Sequence, residues 1–308
     1  MNTRKINKYR DSEKNYFEEC RVQVDEHFIE IKELSIRMRV LTTGNGSPLL
    51  FVHGAPASGA IWMPLVMHLK GYKNIIIDRP GCGLSEKTSY KDLSRHQLQS
   101  IMVFSIDAVL DHFKLPQIPI ISSSFGSGLT LLYALKRSER VSKLVIEGCP
   151  ALINGARVPS FMKPMLLPGL KWLIPRLPTT VPILKKIMTD LGHKYPIEHR
   201  VIPNSFINWY KSLFNNTTTQ INEIGMITKA YPIGKVNPSF ILSDEELETI
   251  REPMLLLWSK DDPFGGIGTA QRLKAKIKNA SLITFEGRGH LPWLDNPELH
   301  AEEIKKFI

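Results

Sequence analysis

The stretch that decides the fold is I-I-S-S-S-F-G-S-G-L, residues 120–129. An apolar, β-branched run gives way to small residues, and a helical spacing of apolar residues begins at once at Leu129. This pattern predicts a strand, a tight turn with a serine at its apex, and a helix. When strand and helix pass so closely, the residues two before and two after the apex must be small. Of the four serines, only Ser124, between Ser122 and Gly126, meets this condition. A serine- and glycine-rich turn without chemistry is the alternative.

Strands and helices alternate on both sides of this turn. Continuously apolar runs at residues 49–52, 75–77, 118–121, 144–146 and 254–258 predict strands that are covered on both faces. Such alternation favours a mostly parallel sheet flanked by helices, that is, an α/β fold. Residues 150–203 hold nine prolines and no strand pattern. We therefore predict a loosely attached N-terminal extension at residues 1–27, a core at 28–149 and 251–308, and a helical cap at 150–250, inserted late in the sheet. Within the cap, we expect helices at residues 182–191, 204–213 and 219–230.

Composition limits the classes of protein to be considered. The 308 residues carry a formal net charge of +10, but no basic cluster or nucleic-acid motif accompanies it, so we expect no nucleic-acid partner. The three cysteines are far apart and predict neither a disulfide framework nor a metal site, and we expect no cofactor. No secretory signal or membrane-spanning run is evident, so a cytoplasmic location is the expectation. The oligomeric state is left open.

A serine hydroxyl becomes a good nucleophile only when a base takes its proton and an acid orients that base. Two later loops offer such groups. The sequence W-S-K-D-D-P, residues 258–263, places Asp261 and Asp262 after a strand, and G-R-G-H places His290 after the next strand. Loops at the carboxyl ends of parallel strands converge, so these residues can meet Ser124. The two aspartates cannot be separated on these grounds, and Glu147, at another strand end, is an alternative acid.

Four motifs taken together resemble the α/β-hydrolase superfamily, in its capped, serine-nucleophile branch with an H-G-x-P loop. The stretch L-L-F-V-H-G-A-P, residues 49–56, resembles the oxyanion-hole segment, and D-R-P-G-C-G-L-S, residues 78–85, resembles a structural turn. The Ser124 turn resembles the nucleophile elbow, although Ser122 stands where glycine is usual. Residues 255–263 and 289–290 resemble the acid and base segments, and the resemblance covers residues 28–308.

The resemblance implies a role for each residue. Ser124 would attack a carbonyl carbon, His290 would accept and return the proton, and Asp262 would orient His290. Asp262 is preferred over Asp261 because the acid in this superfamily lies three residues after a strand-end glycine, a place held here by Ser259. The backbone amides of Ala55 and Phe125 would form the oxyanion hole. The implied reaction is hydrolysis of a small-molecule carboxylic ester or thioester through an acyl-enzyme.

Two other activities and a non-catalytic role remain as alternatives. A proline-type aminopeptidase usually carries H-G-G-P-G, and a carbon–carbon bond hydrolase usually carries a further G-P-G; both are missing from H-G-A-P-A at residues 53–57. A non-catalytic ligand binder is the third alternative.

The cap sequence is rich in apolar residues with interspersed lysine and arginine between residues 161 and 188. It predicts either a cap that packs on its own core or a lid that touches lipid. An apolar substrate fits both interpretations. The candidate substrate-binding residues are Trp62, Met165, Trp172 and Trp209.

Overall fold

The described residues form one sheet of eight strands. The structure, a computed structural model, describes residues 2–90, 93–232 and 236–308. The strands are β1 (Asp25–Ile31), β2 (Ile36–Thr43), β3 (Ser47–Val52), β4 (Tyr72–Ile77), β5 (Ile118–Ser123), β6 (Val141–Glu147), β7 (Met254–Ser259) and β8 (Ala280–Phe285). Their order is β1-β2-β4-β3-β5-β6-β7-β8, and only β2 runs against its neighbours. The predicted mostly parallel sheet is confirmed.

Helices cover both faces of the sheet. They are α1 (Thr3–Glu19), α2 (Met63–Val66), α3 (Arg95–His112), α4 (Ser124–Lys136), α5 (Leu170–Leu173), α6 (Val181–Asp190), α7 (Lys194–Glu198), α8 (Ser205–Asn216), α9 (Thr219–Ala230), α10 (Asp244–Thr249), α11 (Ile267–Lys276) and α12 (Pro297–Phe307). Within the described part of the chain, no helix combines the length and apolar character needed to cross a bilayer.

Strand β3 shows why the central strands are apolar throughout. Leu50 and Val52 belong to the core that contains α3, α4 and α11, whereas Leu49 and Phe51 belong to the core that contains α2 and α12. Successive side chains of a strand point to opposite faces, so a sheet covered on both sides needs an apolar residue at every position. Because β3 to β8 are parallel, the loops that follow them meet at one edge of the sheet, where the candidate site lies.

Helices α5 to α10 lie between β6 and β7 and form the cap. The helices expected from the sequence at residues 182–191, 204–213 and 219–230 are present as α6, α8 and α9, each within a few residues of the expected bounds. The proline-rich beginning of the cap forms only single turns around Ser160–Leu166, Leu170–Leu173 and Ile174–Arg176.

The N-terminal segment differs from the expected loose extension. Helix α1 is docked: Tyr9, Glu13 and Tyr16 are buried, and Tyr16 stacks on Trp209 of α8 with ring centroids 5.2 Å apart. The Glu13 carboxylate accepts hydrogen bonds from the buried guanidinium of Arg39 at 2.5 and 3.0 Å. The three buried residues lie on one helical face, but the charged remainder of α1 obscures that pattern. The core sheet also begins earlier than residue 28, because β1 begins at Asp25.

Candidate active site

Ser124 is at the apex of the turn between β5 and α4. It has a φ of +51°, a left-handed conformation that is strained for a residue with a side chain. The small neighbours explain how this turn fits. A Cβ on Gly126 would collide with the carbonyl oxygen of His53, and a Cβ on Gly54 would lie 2.8 Å from Cβ of Ser124. Strand β3, the turn and α4 therefore meet at van der Waals contact, as the sequence pattern predicts.

The serine at the usual glycine position is accommodated by a local hydrogen bond. The Oγ of Ser122 lies 2.9 Å from Oγ1 of Thr130, one of the two hydroxyls donating to the other. Both side chains are fully buried. The extra hydroxyl of Ser122 is thus satisfied by α4, away from Ser124.

The structure brings Asp262, and not Asp261, to His290. Both carboxylate oxygens of Asp262 lie 2.9 Å from Nδ1 of His290, whereas Asp261 is exposed. The backbone amides of Cys149 and Phe264 donate to the same carboxylate at 2.9 and 2.8 Å. A carboxylate held in this way fixes the ring and the tautomer of a histidine, which leaves Nε2 as the proton acceptor.

Nε2 of His290 has no hydrogen-bond partner among the described residues, although it is buried. His290 and Ser124 line the same cavity, and no hydrogen bond joins the hydroxyl to the ring. Phe264 stacks on the imidazole with centroids 4.0 Å apart, so the ring is held on one face by an aromatic contact and at one edge by Asp262. Sequence reasoning missed Phe264; its place two residues after Asp262 is the signal that could have found it.

Two residues that line the cavity, Ala55 and Phe125, have backbone amides without a partner in the described secondary structure. Phe125 is the second residue of α4, where amides have no partner within the helix and the helix dipole favours negative charge. The amide of Ala55 has no hydrogen-bond partner within residues 2–90, 93–232 and 236–308. Both residues line the cavity at Ser124. The arrangement can stabilise an anion that develops beside the serine hydroxyl.

The cavity beneath the cap consists of two apolar chambers that meet at Ser124. One, here the Tyr231 chamber, is walled by Leu166, Ile224, Ile227 and Tyr231. The other, the Gln220 chamber, is walled by Ile187, Leu191, Phe214 and Gln220. Residues shared by both chambers are Ala55, Pro56, Ser124, Met162, Met165 and Phe264. The Oε1 of Gln220 is buried and has no partner among the described residues.

Of the four candidate substrate residues, only Met165 lines the chambers. Trp62 is buried outside them and stacks on Trp293 with centroids 4.3 Å apart, and Trp209 is buried against Tyr16 of α1. Trp172 is on the outer surface of the cap and is 63% exposed. The expectation for these three tryptophans is corrected. Trp62 and Trp209 instead pack between elements that are distant in sequence, and Trp172 is exposed to solvent.

The cap contacts the loop that carries His290 through a group that we name the base-loop junction: Leu191, His193, Gly289, Leu291 and Asp295. The carbonyl of Leu191 accepts a hydrogen bond from the amide of His290 at 2.9 Å. The buried imidazole of His193 contacts Asp295 through Nδ1 at 2.9 Å and accepts from the amide of Leu291 through Nε2 at 3.1 Å. Asp295 also accepts from the amide of Gly289 at 3.0 Å. Three consecutive amides of the base loop are therefore fixed, two of them by the cap.

A second contact, the oxyanion-loop junction, consists of His53, Gly54, Arg79 and Glu223. The fully buried guanidinium of Arg79 donates to the carbonyls of His53 and Gly54 at 2.9 and 3.0 Å and is paired with Glu223 of α9. Burial alone would lower the pKa of Arg79, but the Glu223 carboxylate outweighs it and raises the pKa above its usual value. Burial, with Arg79 nearby, holds the pKa of His53 well below its usual value.

Glu147, the alternative acid, is occupied elsewhere. Its buried carboxylate contacts Nδ1 of His300 at 2.9 and 3.0 Å, and burial raises its pKa despite that partner. His290 is bound by Asp262 instead. The Glu147–His300 pair joins β6 to α12 and lies outside both chambers.

Comparisons with known proteins agree with this architecture. Residues 49–303 match the alpha/beta hydrolase family. The chain is 25% identical over 269 residues to an uncharacterized hydrolase of Bacillus subtilis, YugF, covering 84% of this chain and 89% of that protein. It is 27% identical over 296 residues to 2-hydroxy-6-oxononadienedioate/2-hydroxy-6-oxononatrienedioate hydrolase 1 of Dechloromonas aromatica, covering 91% and 93%. The crystal structure of carboxylesterase CesB from Bacillus subtilis superposes with a TM-score of 0.77 at 16% identity, covering 99% and 98%.

Proposed function

Because this chain belongs to the alpha/beta hydrolase family, we propose that it is a serine hydrolase of neutral carboxylic esters or thioesters with an apolar acyl or alcohol part. The observation that carries the proposal is the position of Ser124 where two apolar chambers meet. An ester has two arms that join at the scissile carbonyl. One arm would occupy the Tyr231 chamber and the other the Gln220 chamber, with the carbonyl carbon beside the hydroxyl of Ser124.

The proposed reaction proceeds by acyl transfer. Ser124 Oγ attacks the carbonyl carbon while Nε2 of His290 takes its proton, and Asp262 stabilises the resulting imidazolium. The amides of Ala55 and Phe125 bind the negative oxygen of the tetrahedral intermediate. His290 then returns the proton to the leaving alcohol or thiol. Water, deprotonated by His290, attacks the acyl-serine and releases the carboxylic acid and free Ser124.

The charge of the cavity lining supports a neutral substrate. Neither chamber is lined by an aspartate or glutamate among the described residues, which disfavours an aminopeptidase because a free α-amino group needs an anionic partner. Among the same residues, the Gln220 chamber has no lysine or arginine, and only Arg157 contributes a cation to the Tyr231 chamber.

Carbon–carbon bond hydrolysis is the second candidate, favoured by the name of the Dechloromonas relative, which denotes dicarboxylate substrates. Such a substrate would bring two carboxylates into the chambers, whereas the described residues that line them include a single arginine, Arg157. An unpaired carboxylate is costly to move from water into an apolar site. A neutral ester has no such cost, so the ester is preferred.

The test compares p-nitrophenyl esters from acetate to palmitate with a dicarboxylate dienoate as the carbon–carbon substrate. We expect the unsubstituted protein to prefer the esters, with Ser124→Ala lowering kcat on the order of 10⁴-fold or more. Ser127→Ala is the matched control, because this buried hydroxyl has no partner among the described residues and lies in the same helix. Ester turnover that survives in Ser124→Ala, or a preference for the dienoate, would overturn the proposal.

A further inference from the structure

The outer surface of the cap exposes an unusual set of apolar side chains. Ten large hydrophobic residues are exposed in the described chain, and five of them fall within eleven consecutive positions. We name these five the tip face: Leu167, Leu170, Trp172, Leu173 and Leu177. Their exposed fractions run from 38% to 63%. Isolated exposed apolar residues are normal in proteins, but a contiguous group marks a surface that contacts something apolar.

The segment around the tip face is basic. Residues 148–189 contain no aspartate or glutamate and six lysines or arginines. Lys163 precedes the tip face, and Lys171 and Arg176 lie between its residues. All three are exposed, and none forms an ion pair with a described residue. The guanidinium of Arg176 instead lies 4.4 Å from the ring centroid of Trp172. Cationic and apolar side chains are thus presented together on one short segment.

The inner side of this segment is the roof of the proposed active site. Phe161, Met162, Met165 and Leu166 line the chambers at Ser124, and the tip face begins at the next residue, Leu167. The tip face is therefore continuous in sequence with the residues that cover the cavity.

We propose that the tip face docks on an anionic lipid surface. Apolar side chains enter the boundary between headgroups and acyl chains, tryptophan favours that depth, and lysine and arginine are attracted to anionic headgroups. A second copy of this chain is a poorer partner, because the same face of that copy carries the same positive charge. If the proposed function holds, docking places the residues that cover the cavity near the bilayer, and esters dissolved in the bilayer can enter the cavity. The docking itself does not depend on that function.

Intrinsic fluorescence provides a direct measurement, because the other four tryptophans, Trp62, Trp209, Trp258 and Trp293, are fully buried. Only Trp172 can report on a change at the surface. We expect a blue shift and co-flotation with phosphatidylcholine vesicles that contain about a third phosphatidylglycerol, both weakened by added salt. Trp172→Phe should abolish the shift while flotation persists.

Two charge variants test the recognition. Lys171→Gln with Arg176→Gln should lower partitioning about 25-fold, at about fivefold for each basic residue. The matched control is Lys70→Gln with Lys278→Gln: both lysines are exposed, lack ion pairs with described residues, and precede β4 and β8 at the opposite edge of the sheet. The control should bind as the unsubstituted protein does.

Equal losses in both charge variants, or binding that ignores anionic lipid, would overturn the proposal. So would self-association in solution that depends on the tip face without binding to vesicles, since this would identify a second copy as the partner. Binding is measured without turnover, so an incorrect substrate assignment would leave the result intact. Thermal unfolding of each variant establishes that it is folded.

Discussion

The base-loop junction and the oxyanion-loop junction both join cap to core, but they hold their loops by different means. At the oxyanion loop, a buried guanidinium with a raised pKa is paired with Glu223 and donates to two carbonyls. At the base loop, a histidine connects Asp295 to one backbone amide. An arginine keeps its charge at every ordinary pH, whereas a histidine can be neutral. The difference teaches that the cap contributes a buried ion pair on one side of Ser124, and on the other side a histidine that joins a carboxylate to a backbone amide.

The largest expected effect comes from breaking the ionic contact. Glu223→Met leaves the guanidinium of Arg79 buried without a counter-ion, and we expect the free energy of unfolding to fall by about 3–5 kcal/mol. Urea denaturation followed by circular dichroism measures it. The double variant Arg79→Met with Glu223→Met removes the stranded charge and should recover most of that stability, yet it loses the two bonds to the oxyanion loop and should stay poorly active. A double variant as unstable as the single one would contradict the charge explanation.

A smaller effect is expected at the base loop. His193→Ala leaves the amide of Leu291 and one side of Asp295 without their partner, which costs about 1–3 kcal/mol of unfolding free energy. Because the loop that carries His290 loosens, kcat should fall on the order of 10- to 100-fold with little change in KM. His193→Gln, whose amide can replace one of the two bonds, should be intermediate. Loss of stability with unchanged kcat would show that His193 does not position the base.

The smallest effect concerns pH. The pKa of His53 lies well below its ordinary value of 6.5 in the folded chain, chiefly because of burial. Below about pH 6.5 the unfolded chain therefore binds a proton at His53 that the folded chain does not bind. As a result, the free energy of unfolding falls as the pH falls below about 6.5, by at most about 1.4 kcal/mol per pH unit. Urea denaturation between about pH 8 and pH 5 measures the slope. His53→Gln should reduce that slope by one proton; an unchanged slope would assign the proton to another group.

The sequence predicted those parts of the site that depend on local chemistry. The small residues around Ser124 and the loops after β7 and β8 led to Ser124, Asp262 and His290. The structure brings these side chains near one another, because the carboxyl ends of parallel strands lie at one edge of the sheet. The choice between Asp261 and Asp262 needed coordinates, since both follow the same strand and only burial distinguishes them.

Contacts between distant segments were not predictable. His193 meets Asp295 across 102 positions, and Arg79 meets Glu223 across 144 positions, so neither pairing leaves a periodic signal in the sequence. Two of the candidate substrate residues, Trp62 and Trp209, were assigned to the cavity wrongly for the same reason. Trp209 could be assigned to the cavity only while α1, its actual packing partner, was interpreted as loose.

Helix α1 also bears on how the chain reaches its native state. Its residues are synthesised before those of the cap, but Tyr9 meets the indole of Trp209 200 positions later, and the carbonyl of Lys8 accepts from Ser212 204 positions later. Closing so long a loop has an entropic cost that local structure does not offset. The contacts of α1 with α8 can therefore form only after the cap has been translated. Since α1 then bonds to Arg39 in the core and to α8 in the cap at once, the two parts should fold and unfold in a single cooperative step.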